Sequence, residues 1–286
     1  MSRFSKKNVL IYVSSHFASA EDGFGLGDII RLLALSANFK AATIGWCSHP
    51  SLFALARLSD QIDDMFGEED LSRRLSKFDV VLNLGDAPIA RGLDEVILAD
   101  LTSGTGTLKS RTFDLPGLVA ATIGIDATVS WPLAGTKQEK PTHDVGFNMR
   151  VPQTWRIKEL PENHWNAVEA ALGPSVSISR QPPDGDLESY ISWINNCRVL
   201  VSVVGLGCHL AMTLGKPLLI LSGPTDFSEA GDYKKGRVLY PLNPCEFRPC
   251  HQPTGVDNCG CMGAFDPGAI AANIMAMLTS VKKPPR

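Results

Sequence analysis

A glycine-rich loop that ends in an acidic residue stands near the start of the chain. The run Gly23-Phe24-Gly25-Leu26-Gly27-Asp28 follows a short apolar stretch and precedes apolar residues at helical spacing. Free amides at such a helix start can face an anion or a sugar hydroxyl, and the carboxylate of Asp28 can take a proton from an acceptor hydroxyl. The same spacing also occurs in a plain turn in which Asp28 caps the helix, so the pattern leaves both interpretations open.

Two loops in the second half of the chain carry groups that suit a diphosphate. Lys158 offers a compact positive charge in the loop that begins at Trp155. Ser222, Gly223 and Thr225 belong to a stiff Gly-Pro-Thr turn directly after an apolar run, with hydroxyl groups and amides available to a ligand. The alternatives are a solvated loop charge for Lys158 and an ordinary turn for the second segment.

A third loop in the same half combines glycines with a histidine. Gly205, Gly207 and His209 stand where an apolar strand runs into a helix. Glycines there let a phosphate approach the backbone, and a helix start favours an anion. His209 is therefore a candidate ligand for the diphosphate, although a lone histidine is as often a structural residue.

The seven cysteines are unevenly spread. Four of them fall within seventeen residues: Cys245, Cys250, Cys259 and Cys261. In an intracellular protein such a cluster indicates a metal more often than a disulfide, and we expect a structural zinc or iron ion, with free thiols or a disulfide as the alternatives. The isolated cysteines are expected to be buried free thiols: Cys47, Cys197 and Cys208.

Short apolar runs alternate with segments of helical period along the whole chain, which predicts βαβ units and parallel sheets. A polar, breaker-rich stretch from Trp131 to Pro141 divides this pattern into two halves. We therefore predict an α/β protein with two Rossmann-like domains facing across a cleft, an N-terminal domain at 1–135 and a C-terminal domain at 136–286. Ligands of such sheets bind outside the carboxyl ends of the strands.

The composition excludes several classes of protein. The net charge of −3 gives no general attraction to nucleic acid. No run of eighteen apolar residues predicts a membrane span, and the N-terminal apolar run is too short for a signal peptide, which places the protein in the cytoplasm. The basic end from Lys282 to Arg286 is either a frayed tail or a weak contact with anionic lipid at the inner face of the inner membrane.

Taken in their order along the chain, these motifs resemble those of glycosyltransferase family nine, the ADP-heptose:lipopolysaccharide heptosyltransferases. The runs that carry the resemblance are Gly25-Leu26-Gly27-Asp28, the block from Trp155 to Trp165, Leu206-Gly207-Cys208-His209-Leu210-Ala211 with Leu214-Gly215-Lys216-Pro217, Ser222-Gly223-Pro224-Thr225, and the cysteine-rich segment that ends in Cys261-Met262. The resemblance covers nearly the whole second half of the chain and, in the first half, the loop around Asp28.

The resemblance implies an inverting glycosyltransferase of the GT-B fold that needs no metal for catalysis. Asp28 would be the general base, and Lys158, His209 and Thr225 would bind the diphosphate of a nucleotide sugar such as ADP-heptose. The acceptor would be a glycan, a lipopolysaccharide or a protein. Many members carry an acidic residue where this chain has Val204. The alternative is therefore a degenerate member that binds a nucleotide or a protein partner without turnover.

Overall fold

The computed structural model describes residues 4–14, 25–84, 89, 92–97, 120–121, 123–133, 136, 139–225, 227, 233–243 and 260–280. The chain divides into two compact units, Met1–Thr136 and Lys137–Arg286. Each unit contains a five-stranded sheet, and every strand pair in both sheets is parallel. The predicted α/β class with two Rossmann-like units is confirmed.

The first unit is built on strands in the order β3-β2-β1-β4-β5. The strands are β1 Asn8–Val13, β2 Thr43–Ser48, β3 Asp64–Phe66, β4 Val80–Asn83 and β5 Asp94–Ile97. The described α-helices of this unit are α1 Leu26–Leu35, α2 Phe53–Ala56 and α3 Leu71–Arg74. The central strand β1 is buried from Val9 to Val13, as expected for a parallel strand that is covered on both faces.

The second unit has the strand order β10-β9-β8-β6-β7. Its strands are β6 His143–Asn148, β7 Ile178–Arg180, β8 Cys197–Val203, β9 Leu218–Leu221 and β10 Gly236–Leu239. Its described α-helices are α4 Glu162–Leu172, α5 Leu187–Asn195, α6 Leu206–Thr213 and α7 Pro267–Ser280. The chain leaves β6 for β7 on one side and then returns to β8 on the other, so the gap between β6 and β8 is the topological switch point of this sheet.

One apolar core holds α4 and α7 against the sheet of the second unit. Phe147 of β6 lies against Trp165 of α4, with ring centroids 4.9 Å apart. Trp165 is 1% exposed, and Met262 and Phe265 pack into the same cluster ahead of α7. This core fixes the sheet and thereby the positions of the loops at its carboxyl edge.

Two edge strands, β3 and β10, are absent from the sequence prediction. They have three and four residues and are mostly half-buried, so neither shows the continuous apolar run that marks a central parallel strand. Within the described residues, no helix is long and apolar enough to cross a membrane.

Candidate functional site at the carboxyl edge of the second sheet

The predicted donor-binding segments follow three neighbouring strands of the second sheet. The loop with Lys158 follows β6, Gly205 and α6 follow β8, and the turn from Ser222 to Thr225 follows β9. Since β9, β8 and β6 are adjacent and parallel, all three segments leave the sheet at its carboxyl edge, two of them flanking the switch point. The structure thus brings the predicted segments to one edge of the second unit.

The first turn of α6 opens at this edge without a side-chain cap. Gly205 is the N-cap residue, and α6 runs for eight residues from Leu206. The first amides of a helix have no partner within the helix, and the helix dipole adds partial positive charge there. A β-carbon placed on Gly205 would meet no atom within 4 Å, so the space in front of this residue is open among the described atoms. Such a helix start can bind a phosphate.

Gly207 lacks a side chain for a different reason. A β-carbon at this position would come within 2.2 Å of Nδ2 of Asn148 and 2.7 Å of the hydroxyl of Tyr190. Both distances are shorter than any van der Waals contact, so a larger residue would push α6 away from the sheet. Gly207 is therefore a packing residue, and Gly205 is the one that leaves room for a ligand.

His209 lies in the second half of the first turn of α6 and is mostly covered. It is 7% exposed, and its ring centroid lies 5.3 Å from that of Phe227. Its carbonyl oxygen accepts a hydrogen bond from the hydroxyl of Thr213 at 2.9 Å. Contact between His209 and a diphosphate would be limited to the small exposed part of the ring.

The residues of the turn after β9 have different structural roles. The hydroxyl of Ser222 donates to the carbonyl oxygen of Thr225 at 2.8 Å and closes the turn. A β-carbon at Gly223 would lie 2.1 Å from Sδ of Met262, so the core of the unit requires glycine here. Thr225 is 4% exposed, and its hydroxyl has no hydrogen-bond partner among the described residues. Its hydroxyl is the group of this turn with capacity for a ligand.

Lys158 is held by an aromatic ring. Its ammonium nitrogen lies 4.0 Å from the centroid of the Trp155 ring, a cation–π contact, and both residues are half-buried. They belong to the 3-10 segment Gln153–Lys158, which is kinked at Trp155. The neighbouring Arg156 is exposed and pairs with Glu159 at 3.9 Å. Lys158 is thus the positioned cation of this loop.

Asp28 lies in the first unit, in the first turn of α1. Its Oδ2 accepts a hydrogen bond from the amide of Gly25 at 2.9 Å, and its Oδ1 accepts one from Nη1 of Arg31 at 3.1 Å. Asp28 therefore caps the helix from the third helical position, which agrees with the structural interpretation of the motif. The side chain remains 29% exposed while that of Arg31 is 5% exposed, so a carboxylate of fixed orientation reaches the surface.

The predicted metal site falls mostly outside the described residues. Cys245, Cys250 and Cys259 lie there, whereas Cys261 is described and is buried. Within the described part of the chain, no group of three or more metal-ligating side chains is arranged to hold an ion. The metal therefore stays a prediction.

The isolated cysteines are buried, as predicted: Cys47, Cys197 and Cys208. Burial raises the pKa of the thiols of Cys47 and Cys197 to about 12, which makes both unreactive near neutral pH.

A hydrogen-bonded group beneath α6 is missing from the sequence prediction. It consists of Asn148, Tyr190 and Ser202. Asn148 and Ser202 are aligned partners on β6 and β8, and each is a buried polar residue that follows apolar residues near the carboxyl end of its strand. That placement is the signal that the sequence offered, since buried polar side chains at strand ends have to find partners.

Comparisons with known proteins agree with this geometry. No family model matches the sequence, and no curated protein sequence matches it significantly. Among solved structures, a glycosyl transferase of family 9 from Veillonella parvula matches with a TM-score of 0.65 at 14% identity, over 98% of this chain and 99% of that chain. The chain has the fold of the family nine glycosyltransferases.

Two E. coli structures with this fold extend the comparison. ADP-heptose lps heptosyltransferase II matches with a TM-score of 0.60 at 13% identity, over 96% of this chain and 99% of that chain. The dodecameric iron-containing heptosyltransferase TibC, in complex with ADP-D-beta-D-heptose, matches with a TM-score of 0.61 at 12% identity, over 98% of this chain and 78% of that chain. These matches confirm the predicted resemblance and the GT-B type of fold.

Proposed function

We propose that this protein is a glycosyltransferase that moves a sugar from a nucleotide diphosphate sugar to an acceptor hydroxyl. The observation that carries the proposal is the convergence of three segments on the carboxyl edge of the second sheet: the Lys158 loop, the start of α6, and the turn that ends at Thr225. The fold likeness to glycosyltransferases, one of them in complex with ADP-heptose, supports a nucleotide sugar as the ligand.

In this proposal the second unit binds the donor through its diphosphate. The first-turn amides of α6 and the open space at Gly205 accept the phosphate oxygens. Lys158 supplies a positive charge, and the hydroxyl of Thr225 supplies a further donor. These groups stabilise the leaving diphosphate, whose negative charge grows as the bond to the sugar breaks. We propose ADP-heptose as the donor because two of the similar structures contain ADP-heptose or its 2-deoxy-2-fluoro analogue.

Asp28 is the proposed general base of an inverting reaction. Its carboxylate takes the proton of the acceptor hydroxyl while that oxygen attacks the anomeric carbon and the nucleoside diphosphate leaves from the opposite face. A single displacement of this kind inverts the anomeric centre. The bonds from Gly25 and Arg31 hold the carboxylate in one orientation, and its exposed part leaves it accessible to an acceptor. The leaving group is stabilised by amides and cationic groups, so no metal ion is required for the displacement.

The acceptor in this proposal is a glycan, a lipopolysaccharide or a protein, modified in the cytoplasm or at the inner face of the inner membrane. The similar E. coli heptosyltransferase II is an ADP-heptose lps heptosyltransferase, which favours the lipopolysaccharide among the three.

A second candidate function rests on Val204. This residue directly follows β8, is 9% exposed, and stands where many members of the family carry an acid. An apolar side chain here cannot accept a hydrogen bond from a donor hydroxyl. The alternative protein binds a nucleotide or a protein partner at the same edge and does not turn it over.

A nucleotide-sugar panel separates the two functions. Each donor and each free nucleoside diphosphate is added to the protein, and the melting temperature is recorded, because a ligand that binds the native state raises it. The donor with the largest shift is then incubated with lipopolysaccharide cores, and mass spectrometry follows the sugar. Transfer of the sugar establishes the transferase. Binding without transfer, with Val204→Asp restoring turnover, establishes the degenerate member. No binding by any nucleotide would exclude the transferase and leave only a protein partner for the alternative.

A further inference from the structure

A chain of buried hydrogen bonds lies directly beneath the start of α6. The hydroxyl of Tyr190 donates to Oδ1 of Asn148 at 2.6 Å, and Nδ2 of Asn148 donates to the hydroxyl of Ser202 at 2.7 Å. Ser202 in turn donates to the carbonyl oxygen of Val203 at 2.7 Å. Asn148 is 3% exposed and Ser202 is fully buried. The chain runs in one direction and connects α5, β6 and β8.

The first turn of α6 rests on this chain. The α-carbon of Gly207 is so close to the amide of Asn148 and the hydroxyl of Tyr190 that a single added carbon would overlap both. The amide of Cys208 donates to the carbonyl oxygen of Gly205 at 3.0 Å, and the thiol of Cys208 contacts the carbonyl oxygen of Val203 at 3.4 Å. The depth and tilt of the helix start are therefore set by where the Asn148 side chain lies.

The orientation of that side chain depends on Tyr190. Burial raises the pKa of the Tyr190 phenol, so it stays protonated and keeps donating throughout the neutral range. The Ser202 hydroxyl donates to the carbonyl oxygen of Val203, so it accepts from the nitrogen of the Asn148 amide, and the oxygen of that amide faces the Tyr190 hydroxyl. Removal of the phenol hydroxyl takes away the donor that holds this oxygen, so the amide is less firmly fixed against the first turn of α6.

We propose that Tyr190, Asn148 and Ser202 are positioning residues that hold the first-turn amides of α6 at the depth required by the donor diphosphate. The inference rests on the proposed function, since it assigns these residues to the same binding edge. Hydrogen bonds from amides to phosphate oxygens weaken steeply with misalignment, so a small tilt of the helix start reduces affinity without unfolding the unit. None of the three residues touches the ligand in this account, and each acts through the helix.

The second unit offers a matched control for Tyr190. The hydroxyl of Tyr233 also donates a 2.6 Å hydrogen bond, to the carbonyl oxygen of Lys216, and burial also raises its pKa. Lys216 lies between the C-terminal end of α6 and β9, so this bond lies at the amino edge of the same sheet, away from the start of α6. Tyr190→Phe and Tyr233→Phe each remove one buried hydroxyl and its 2.6 Å bond, and they differ in which edge of the sheet they affect.

The test measures the affinity of both variants for ADP by calorimetry, alongside their melting temperatures. We expect Tyr190→Phe to weaken ADP binding about three- to tenfold, and Tyr233→Phe to change it by less than about twofold despite a similar drop in melting temperature. Equal ADP affinity in Tyr190→Phe and wild type, or equal losses in the two variants, would overturn the inference. A wild-type protein that binds no nucleoside diphosphate would overturn the proposed function and, with it, the inference.

A second pair of variants covers the case in which Tyr190→Phe does not fold. Gly207→Ala should favour the helix by itself, because alanine is the better helix former. We nevertheless expect it to weaken ADP binding at least about tenfold, since the new methyl group displaces the helix start. Gly45→Ala is the control, because a β-carbon there would come within 2.5 Å of the Phe78 ring in the first unit and should leave ADP affinity unchanged. A Gly207→Ala protein with wild-type ADP affinity, or equal losses of affinity in the two variants, would contradict the positioning role.

Discussion

Carboxylates stand at the carboxyl edge of the first sheet, whereas hydrogen-bond donors and a cation stand at that of the second. In the first unit, Asp28 accepts bonds from Gly25 and Arg31, and Glu68 accepts one from the hydroxyl of Tyr12 at 3.0 Å. In the second unit, the first-turn amides of α6 open beside Lys158. Among the described residues, two sheets of the same parallel type therefore present different chemical groups at their carboxyl edges.

In the proposed function, this difference separates the two halves of the transfer reaction. An edge with carboxylates suits an acceptor hydroxyl that has to lose a proton, and an edge with amides and a cation suits an anionic leaving group. A variant in the first unit should accordingly change turnover, and a variant in the second unit should change donor affinity. The predictions below test that separation, starting with the largest effect.

Asp28→Asn should nearly abolish transfer and leave donor binding intact. Loss of a general base lowers turnover by about 10²- to 10⁴-fold, and the amide keeps the size of the side chain. The measurement is kcat together with the calorimetric Kd for ADP. Asp70→Asn is the control, because Asp70 also pairs with an arginine three residues on, Arg73 at 2.6 Å, and its side chain is also 29% exposed. Unchanged turnover in a folded Asp28→Asn protein would remove Asp28 from the mechanism.

Lys158→Ala should show the reverse behaviour, with weaker donor binding in a folded protein. A charge-assisted contact with phosphate contributes about 1.5–3 kcal/mol, so the Kd for ADP should rise about ten- to a hundredfold. Arg156→Ala is the control, since that exposed side chain has the same charge in the same loop. If calorimetry gives Lys158→Ala and wild type the same affinity, Lys158 takes no part in donor binding.

The cysteine cluster should contain a structural metal ion rather than a catalytic one. Cys245, Cys250, Cys259 and Cys261 would cross-link a loop that is rich in proline and glycine, with His251 as a substitute ligand. Chelation should lower the melting temperature by about 5 °C or more before it affects turnover. The structurally similar E. coli TibC is iron-containing, so elemental analysis should cover iron and zinc.

Metal content and thiol reactivity together define the outcome that would contradict the metal prediction. Protein purified without added metal would contain less than about a tenth of an equivalent of zinc and iron together. All seven thiols would in addition react after unfolding, which would exclude a disulfide.

Trp155→Leu should have the smallest effect on donor binding. The indole ring orders the ammonium of Lys158 through a cation–π contact worth about 0.5–1 kcal/mol, so ADP affinity should fall about two- to fivefold. In a Lys158→Ala background the same change should have no further effect, because there is no ammonium left to order. Calorimetry on the four proteins of this cycle measures the coupling, and additive losses would show that the ring acts independently of Lys158.

The sequence predicted the central elements well because their patterns are local. The apolar run before the turn at Ser222 is the buried strand β9, and a segment of helical period around Trp165 is helix α4, Glu162–Leu172. The short strands β3 and β10 gave no such signal, since edge strands bury few side chains and depend on the neighbouring strand for their hydrogen bonds.

The candidate site was predictable in position and less so in detail. The loops after β6, β8 and β9 were assigned correctly to one sheet edge from the alternation of elements alone. The reason for glycine at Gly223 could not be predicted, because the atom it avoids belongs to Met262, far along the chain. The contact of Tyr190 with Asn148 could not be predicted for the same reason, because the two residues are 42 positions apart in the sequence. Contacts of that range follow from the fold and are not visible in a local pattern.

The central claim is that the carboxyl edge of the second sheet binds the donor diphosphate, and a crystal structure with ADP tests it most directly. We expect the phosphate oxygens within about 3 Å of the first-turn amides of α6, with Lys158 rotated from the Trp155 ring toward the phosphates and the hydroxyl of Thr225 within the same distance. ADP bound elsewhere on the protein, with α6 and Lys158 unchanged, would contradict the account.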